Sequence, residues 1–337
     1  MNVALIVLAA ALALSACTST PEAPSIVASP SVSSSDEPAG PYAGAEAVID
    51  VAAGPRGVAF ADGSVWVAST IGGVITRVDP TSNTVVAEIE AVRPVTLVTI
   101  HGQLWASVLN GDPSSDDEIV RIDTATNAVG ERVSVPVFHN IAAGPGAIWA
   151  VDPAGELHRV EPVSGAVTSP GPVGAMTIGI AANDEALWGI RGDRIAWRLP
   201  VDGGQLLEKP LDVPVPGRSR VAVGPGAGAS VWVAVPGAVL TLDRADLSVG
   251  IRLSLPGMEL VNDLWVTETD VWLSANVTDD ALGLDGGSVL RLDPATAEVT
   301  ATYRLGPESS GVVVAAGSVW AVDQADNKLA RFPMPVR

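Results

Sequence analysis

Few residues in this 337-residue chain are equipped for chemistry, and most of those are acids. Two stretches concentrate carboxylates. Asn110–Glu118 (NGDPSSDDE) holds Asp112, Asp116, Asp117 and Glu118; Asn276–Gly287 (NVTDDALGLDGG) holds Asp279, Asp280 and Asp285. Such clusters could gather oxygen ligands for Ca2+, although neither follows the EF-hand spacing and acidic loops otherwise serve as solvated surface. The three histidines, His101, His139 and His158, are scattered, and Cys17 is the single cysteine, so there is no Cys-based metal site and no intrachain disulfide. No nucleophile sits at a telling distance from a base, and no catalytic residue is assigned. Arg191-Gly192-Asp193 has the look of an adhesion tripeptide but follows an apolar run, where it reads as a tight turn.

The elements that must position these residues are repeats, the first thing to seek in a chain of this length. A small-residue turn, one or two apolar residues and a tryptophan recur seven times. The copies end at Trp66, Trp105, Trp149, Trp188, Trp232, Trp272 and Trp320, 39 to 48 residues apart. Each tryptophan is followed by an apolar run ending in a turn, as in Thr76-Arg77-Val78-Asp79-Pro80 and Leu290-Arg291-Leu292-Asp293-Pro294, and then by a third run. A further short run precedes each tryptophan. Four short strands per unit of about 42 residues is the signature of a propeller blade. The last unit stops after its third strand, and Ala45–Val51 precedes the first unit as an orphan fourth strand. The expected fold is therefore all-β, a seven-bladed propeller of four-stranded blades over residues 45–337, closed by the N-terminal strand. Pairing the two ends of the chain removes exposed strand edges. Val221–Leu242 carries no charge, but its prolines and glycines argue against a membrane helix.

Propeller topology sorts the loops. Connections between blades and the loops from strand two to strand three share an upper face; the other turns share a lower one. The turn acids Asp79, Asp123, Asp243 and Asp293 fall on the lower face, where Asp is ordinary turn chemistry. The two acidic stretches make long upper-face loops on blades two and six, opposed across the channel mouth. Residues expected just before each first strand ring that mouth: Arg56, Arg93, His139, Asn140, Arg218, Arg220, Glu259, Asp263 and Glu308. A basic cluster there, inside an acidic shell, favours an anionic ligand.

Residues 3–14 (VALIVLAAALAL) form an apolar stretch of signal-peptide length that runs into Leu14-Ser15-Ala16-Cys17. This resembles the bacterial lipobox, which implies a signal peptide over residues 1–16 and a diacylated Cys17. Buried acyl methylenes contribute roughly 0.8 kcal/mol each to anchoring. Ser, Pro, Ala and Thr dominate the segment that follows, so residues 17–44 read as a flexible, lipid-anchored linker. The expected location is the outer face of a bacterial cell membrane, touched through the lipid alone. A formal charge of −19 speaks against nucleic acid and anionic headgroups as partners.

The pattern Gly-x-Val-Trp-Val-Ala…Arg-Val-Asp-Pro-x-Thr/Ser-x-x-Val resembles the bacterial YVTN-type and streptogramin-lyase-like propellers over about 290 residues. The resemblance is specific for fold and weak for activity. Lyases of that kind use paired histidines and glutamates with a divalent metal; only His139 reaches the upper rim here, so their residues do not carry over. The expected function is a monomeric binding or protein-interaction module of the cell envelope, with a protein, peptide or glycan ligand. The alternative is a metal-dependent lyase or hydrolase, like the streptogramin lyases or gluconolactonases, with its site at the upper mouth.

Overall fold

The computed structural model describes residues 40–110, 117–136, 141–144, 146–216, 218–224 and 230–335. Cys17 and most of the segment assigned as linker lie outside them. Strand β1 (Ala47–Asp50) comes first. Blade one is β2 (Pro55–Ala61), β3 (Ser64–Ser69), β4 (Val74–Asp79) and β5 (Thr84–Glu90). Blade two is β6 (Pro94–Ile100), β7 (Gln103–Val108), β8 (Glu118–Asp123) and β9 (Ala128–Ser134). Blade three is β10 (Ile141–Gly144), β11 (Ala147–Val151), β12 (Glu156–Val160) and β13 (Val167–Pro172). Blade four is β14 (Thr177–Ala182), β15 (Ala186–Arg191), β16 (Ile195–Pro200) and β17 (Leu207–Pro210). Blade five is β18 (Arg220–Val223), β19 (Val231–Val235), β20 (Gly237–Leu242) and β21 (Val249–Leu255). Blade six is β22 (Met258–Val266), β23 (Val271–Asp279), β24 (Leu284–Leu292) and β25 (Val299–Arg304). Blade seven is β26 (Ser309–Ala315), β27 (Ser318–Asp323) and β28 (Lys328–Pro333), completed by β1.

All seven sheets are antiparallel, and there is no helix among the described residues. The uncharged stretch Val221–Leu242 supplies β18, β19 and β20. The fold is the seven-bladed propeller anticipated from the repeats, including its closure: β1 pairs with β28 from Ala47↔Arg331 to Asp50↔Lys328. Ile49 packs from β1 into a core shared by blades seven and one. Residues 40–44, grouped with the linker on composition, lie against the ring. The Tyr42 amide donates to the Arg304 carbonyl at 2.9 Å, and its hydroxyl donates to Asp323. Burial, then the Asp323 carboxylate, push the Tyr42 phenol well above its usual range.

The repeat motif encodes the joints between blades. All seven motif tryptophans are buried in second strands. In six blades the residue directly opposite the tryptophan on the third strand is an arginine: Arg77, Arg121, Arg159, Arg198, Arg291 and Arg331; blade five has Thr241. Arg77 stacks over Trp66 at 5.0 Å and Arg331 over Trp320 at 5.1 Å. Each then reaches into the lower turn of the next blade. Arg77 donates to the Thr124 carbonyl at 2.7 Å and to Asn127 Oδ1 at 2.9 Å; Arg331 donates to the Pro80 carbonyl at 2.7 Å and Asn83 Oδ1 at 3.0 Å.

The receiving turns are shaped by their first residue. The Asp79, Asp123, Asp243 and Asp293 carboxylates accept the backbone N–H two residues on. Asn83 and Asn127 close their turns in the left-handed region, with φ of 56° and 53°, which Asn tolerates best after Gly. The turn acids are thus structural. Hydrogen bonds hold Asp79 and Asp123 below the usual carboxylate range.

A lysine cannot reproduce the flat fork that stacks on Trp320 and serves two acceptors on blade one. Arg331→Lys is expected to cost about 1–3 kcal/mol in urea unfolding. A smaller loss would mean that apolar packing alone holds that joint.

Candidate functional site

The seven first strands, β2, β6, β10, β14, β18, β22 and β26, are the inner strands of their blades and surround a central channel. The channel holds a cavity of about 530 Å3, open at the upper mouth, to which every one of these strands contributes. That lies within the usual range for ligand sites, about 300–1,000 Å3. Two features of the inner strands shape it. The first is small residues where neighbouring strands approach most closely. A Cβ on Gly57 would meet the Val95 carbonyl oxygen at 2.5 Å, and one on Gly311 would meet that of Arg56 at 2.6 Å. The second is irregular register at the upper ends. The ladder skips Arg56 in β2, Val95 and Thr96 in β6, Ile178 in β14, Asn262 in β22, and Ser310 and Gly311 in β26. Each of these residues lines the cavity; Glu259, skipped at the other irregularity of β22, does not. A bulge re-aims a side chain that regular pleating would turn into the neighbouring blade.

Three arginines converge at the mouth. Arg220 lies deep in the ring, donating to the Asn262 carbonyl and to that of Ser219, both at 2.9 Å. Arg218 forms an ion pair with Glu308 at 3.2 Å and donates to Asn262 Oδ1 at 3.3 Å. Arg56 is half-buried, and its guanidinium makes no hydrogen bond or ion pair among the described residues; only its carbonyl is engaged, by the Ser310 hydroxyl at 3.1 Å. Burial, then repulsion by Arg218, lower the basicity of Arg56, while Glu308 raises it. Burial lowers Arg220 as well, and Asp263 offsets part of that. Both stay protonated, as guanidinium does in proteins.

Asp263 is the buried counter-charge. Its Oδ2 accepts the Val312 amide of blade seven at 2.9 Å and its Oδ1 accepts the Leu264 amide at 2.8 Å. Burial nonetheless raises its pKa above 3.8, against those two bonds and the attraction of Arg220. Around this core run Asn262, Asn276 and Ser309, linked at 3.1 to 3.4 Å. Below it the lining includes the half-buried Val98, Ala143, Ile178, Ala222 and Val266, with the exposed Trp265 towards the lower end.

The residues expected at the rim divide. Arg56, Arg218, Arg220 and Asp263 line the cavity, and Glu308 pairs at its edge. Arg56, Arg220, Glu259 and Asp263 sit within first strands rather than before them: β2 begins at Pro55, β18 at Arg220, and β22 at Met258 with two bulges. Glu259 is exposed and lines nothing; Arg93 is exposed in the connection between β5 and β6, away from the cavity. His139 and Asn140 lie outside the described residues. Asn262, Ser310, Thr96, Gln324 and Trp265 were not anticipated from sequence, because nothing in it marks a bulge. The polar pair Asn262-Asp263 interrupting an apolar strand is the one signal that points to them.

The acidic stretches differ from expectation. Asn276–Gly287 is no open loop: the β23–β24 ladder runs unbroken to Asp279↔Leu284. Asp279 closes the hairpin, accepting the Ala281 and Leu282 amides at 2.9 and 3.2 Å; Asp280 sits in that turn and Asp285 is exposed on β24. Of the other stretch, Asp112 and Asp116 lie outside the described residues. Asp117 accepts the Asn110 amide at 3.1 Å, and Glu118 begins β8, paired with Arg132 at 2.8 Å. Among the described residues no three His, Cys, Asp or Glu side chains are grouped to hold a metal. His158 is on β12, next to Asp152 at 3.3 Å, and Arg191 and Asp193 of the RGD tripeptide bond to each other at 3.1 Å.

Asp263 gives the site a pH signature. Its raised pKa means the carboxylate destabilises the fold at neutral pH, and that penalty disappears as pH falls through the folded-state value towards 3.8. Asp263→Asn carries no such term. The difference in unfolding free energy between native protein and variant is therefore expected to shift in favour of the native protein as pH is lowered from 7. A difference that stays flat would contradict a buried charge at this position.

No protein-family model matches the chain, and no curated protein sequence does either. Solved structures do match in fold. A chain in the crystal structure of the mitotic checkpoint complex superposes with a TM-score of 0.70 at 10% identity, covering 90% of this chain and 100% of that one. Kuenenia stuttgartiensis hydrazine synthase gives 0.65 at 13% identity, covering 86% and 98%. At such identities the likeness is one of fold, and the fold common to them is the β-propeller.

Proposed function

We propose that this chain is a binding module of the bacterial cell envelope, held at the membrane by a lipid on Cys17, and that it takes an anionic ligand at the upper mouth of its channel. The observation that carries this reading is the convergence of Arg56, Arg218 and Arg220 on a 530 Å3 cavity in a chain of net charge −19. Three cations at one mouth attract anions there, while the acidic remainder of the molecule repels them elsewhere. The Arg56 guanidinium, without a protein partner among the described residues, is a ready donor for an incoming acid. The lipobox-like Leu14-Ser15-Ala16-Cys17 supports the anchor, and the resemblance to YVTN-type propellers supports display outside the cell. That a propeller of similar fold sits in a multi-protein complex fits an interaction role. The lower face, whose acids are committed to turns, is the less suited of the two.

Capture of envelope partners by the lipidated full-length protein, alongside metal analysis of the purified chain, tests the reading. Arg56→Ala and Arg220→Ala are expected to abolish capture that the native protein supports. Unchanged capture by both would remove the mouth from consideration, and a stoichiometric bound metal would favour a hydrolase or lyase instead. Mass spectrometry of the mature N-terminus tests the anchor: an unmodified terminus downstream of Cys17 would refute it.

A further inference from the structure

The charge balance and the wall chemistry of the mouth narrow the ligand beyond "anionic". Among the described residues, three guanidinium groups face two carboxylates there: Glu308 is paired with Arg218 at 3.2 Å, and Asp263 lies beside Arg220. Asp323, across the ladder from Ser309, is not part of the cavity lining, and its carboxylate turns to the Tyr42 hydroxyl. One positive charge is left over, and it resides on Arg56. A single negative charge neutralises it. A dianion would leave an uncompensated charge in a partly buried site, where removal from water costs several kcal/mol per ion.

The fork of Arg56 matches a planar two-oxygen acid, with which guanidinium makes paired hydrogen bonds. Beneath it the site has no further free cation among the described residues. Its walls include the half-buried Val98, Ala143, Ile178, Ala222 and Val266. A body that enters behind the acid group therefore meets apolar surface, and burying it contributes about 25 cal/mol per Å2 of area removed from water. The cavity holds only about 530 Å3, so the body must be small.

We infer that the site takes a monocarboxylate on a small apolar body, with the carboxylate at Arg56 in the mouth and the body directed down the channel. This inference rests on the mouth reading above and adds the chemical class. The same chemistry comes from two sources, a free aliphatic acid or the C-terminus of a peptide ending in small apolar residues.

Calorimetric titration of the full-length protein in detergent with defined probes decides it. The probes are octanoate, octanamide, acetate, inorganic phosphate, and N-acetyl-Val-Ala-Val with a free or an amidated C-terminus. Octanoate or the free-acid peptide is expected to bind at least about tenfold more tightly than its amide, than acetate and than phosphate, the loss expected when a hydrogen-bonded charge goes unmet. Tighter binding of octanoate identifies a free acid as the source, and tighter binding of the peptide a chain terminus. Arg56→Gln is expected to reduce the favoured acid to the affinity of its amide while the melting temperature stays unchanged, since Arg56 carries no side-chain bond to lose.

An amide that binds as well as its acid, acetate that binds as well as octanoate, or phosphate that binds tightest overturns the monocarboxylate assignment. In the phosphate case the anion-binding mouth survives. Should no probe bind, the assignment also falls, and capture of envelope partners by Arg56→Gln then decides separately whether the mouth is the binding site.

Discussion

Seven sheets that share no ladder with one another need something other than backbone hydrogen bonds to hold them in a ring. The stacked pair of tryptophan and arginine supplies it. The indole fills the space between blades, and the guanidinium lies on its face in five of them; Arg77 and Arg331 also hydrogen-bond the turn of the next blade. The contact is worth more inside a protein than on its surface, because the cation is removed from competing water. It also ties three things the sequence repeats together into one object: the tryptophan of strand two, the arginine of strand three, and the Asp-led turn that receives it. Blade five lacks the arginine, having Thr241 opposite Trp232 at its joint with blade six. At the joint of blades four and five the indole of Trp188 has two cations, Arg198 at 5.9 Å and Arg244, from the lower turn of blade five, at 5.5 Å.

This explains why the fold was legible and most of the site was not. Tryptophan and turn spacing is a property of every blade, so seven copies reinforce one another, and the unpaired strand at each end announces how the ring closes. The site has no such redundancy. Arg56, Asn262 and Ser310 line the channel because a register irregularity beside each turns them there, where neighbouring inner strands approach closely, as at Gly57 against Val95 and Gly311 against Arg56. Those contacts join residues far apart in the chain and leave no periodic trace. The acidic stretch of blade six misled for the related reason that Gly and Asp are equally at home in a loop and in an extended hairpin. Asn276 and Asp285 are in fact held by the ladder, and Asp279 caps its turn.

The mouth shows how costly charge is made tolerable in the middle of an apolar ring. Asp263 and Arg220 each lose water, and their mutual attraction only partly restores what burial removes. Backbone groups make up part of the rest: the amides of Leu264 and Val312 point at the carboxylate, and two carbonyls receive the guanidinium. The pair also stitches blades five, six and seven together on the channel side, as the tryptophan joints do farther out. At the mouth, Arg220 is thus also a blade-joining residue, whereas the Arg56 guanidinium joins no blades among the described residues.

Tyr42 bears on how the ring would respond to mechanical load. Force applied from the N-terminal side reaches this residue before it reaches β1. Its amide holds Arg304 of blade six and its hydroxyl holds Asp323 of blade seven, so tension is shared between two blades and delivered across the seam. The four residue pairs between β1 and β28 sit behind that tie. The strand that closes the ring is thus shielded from being peeled, and a pull from that end draws blades six and seven towards each other.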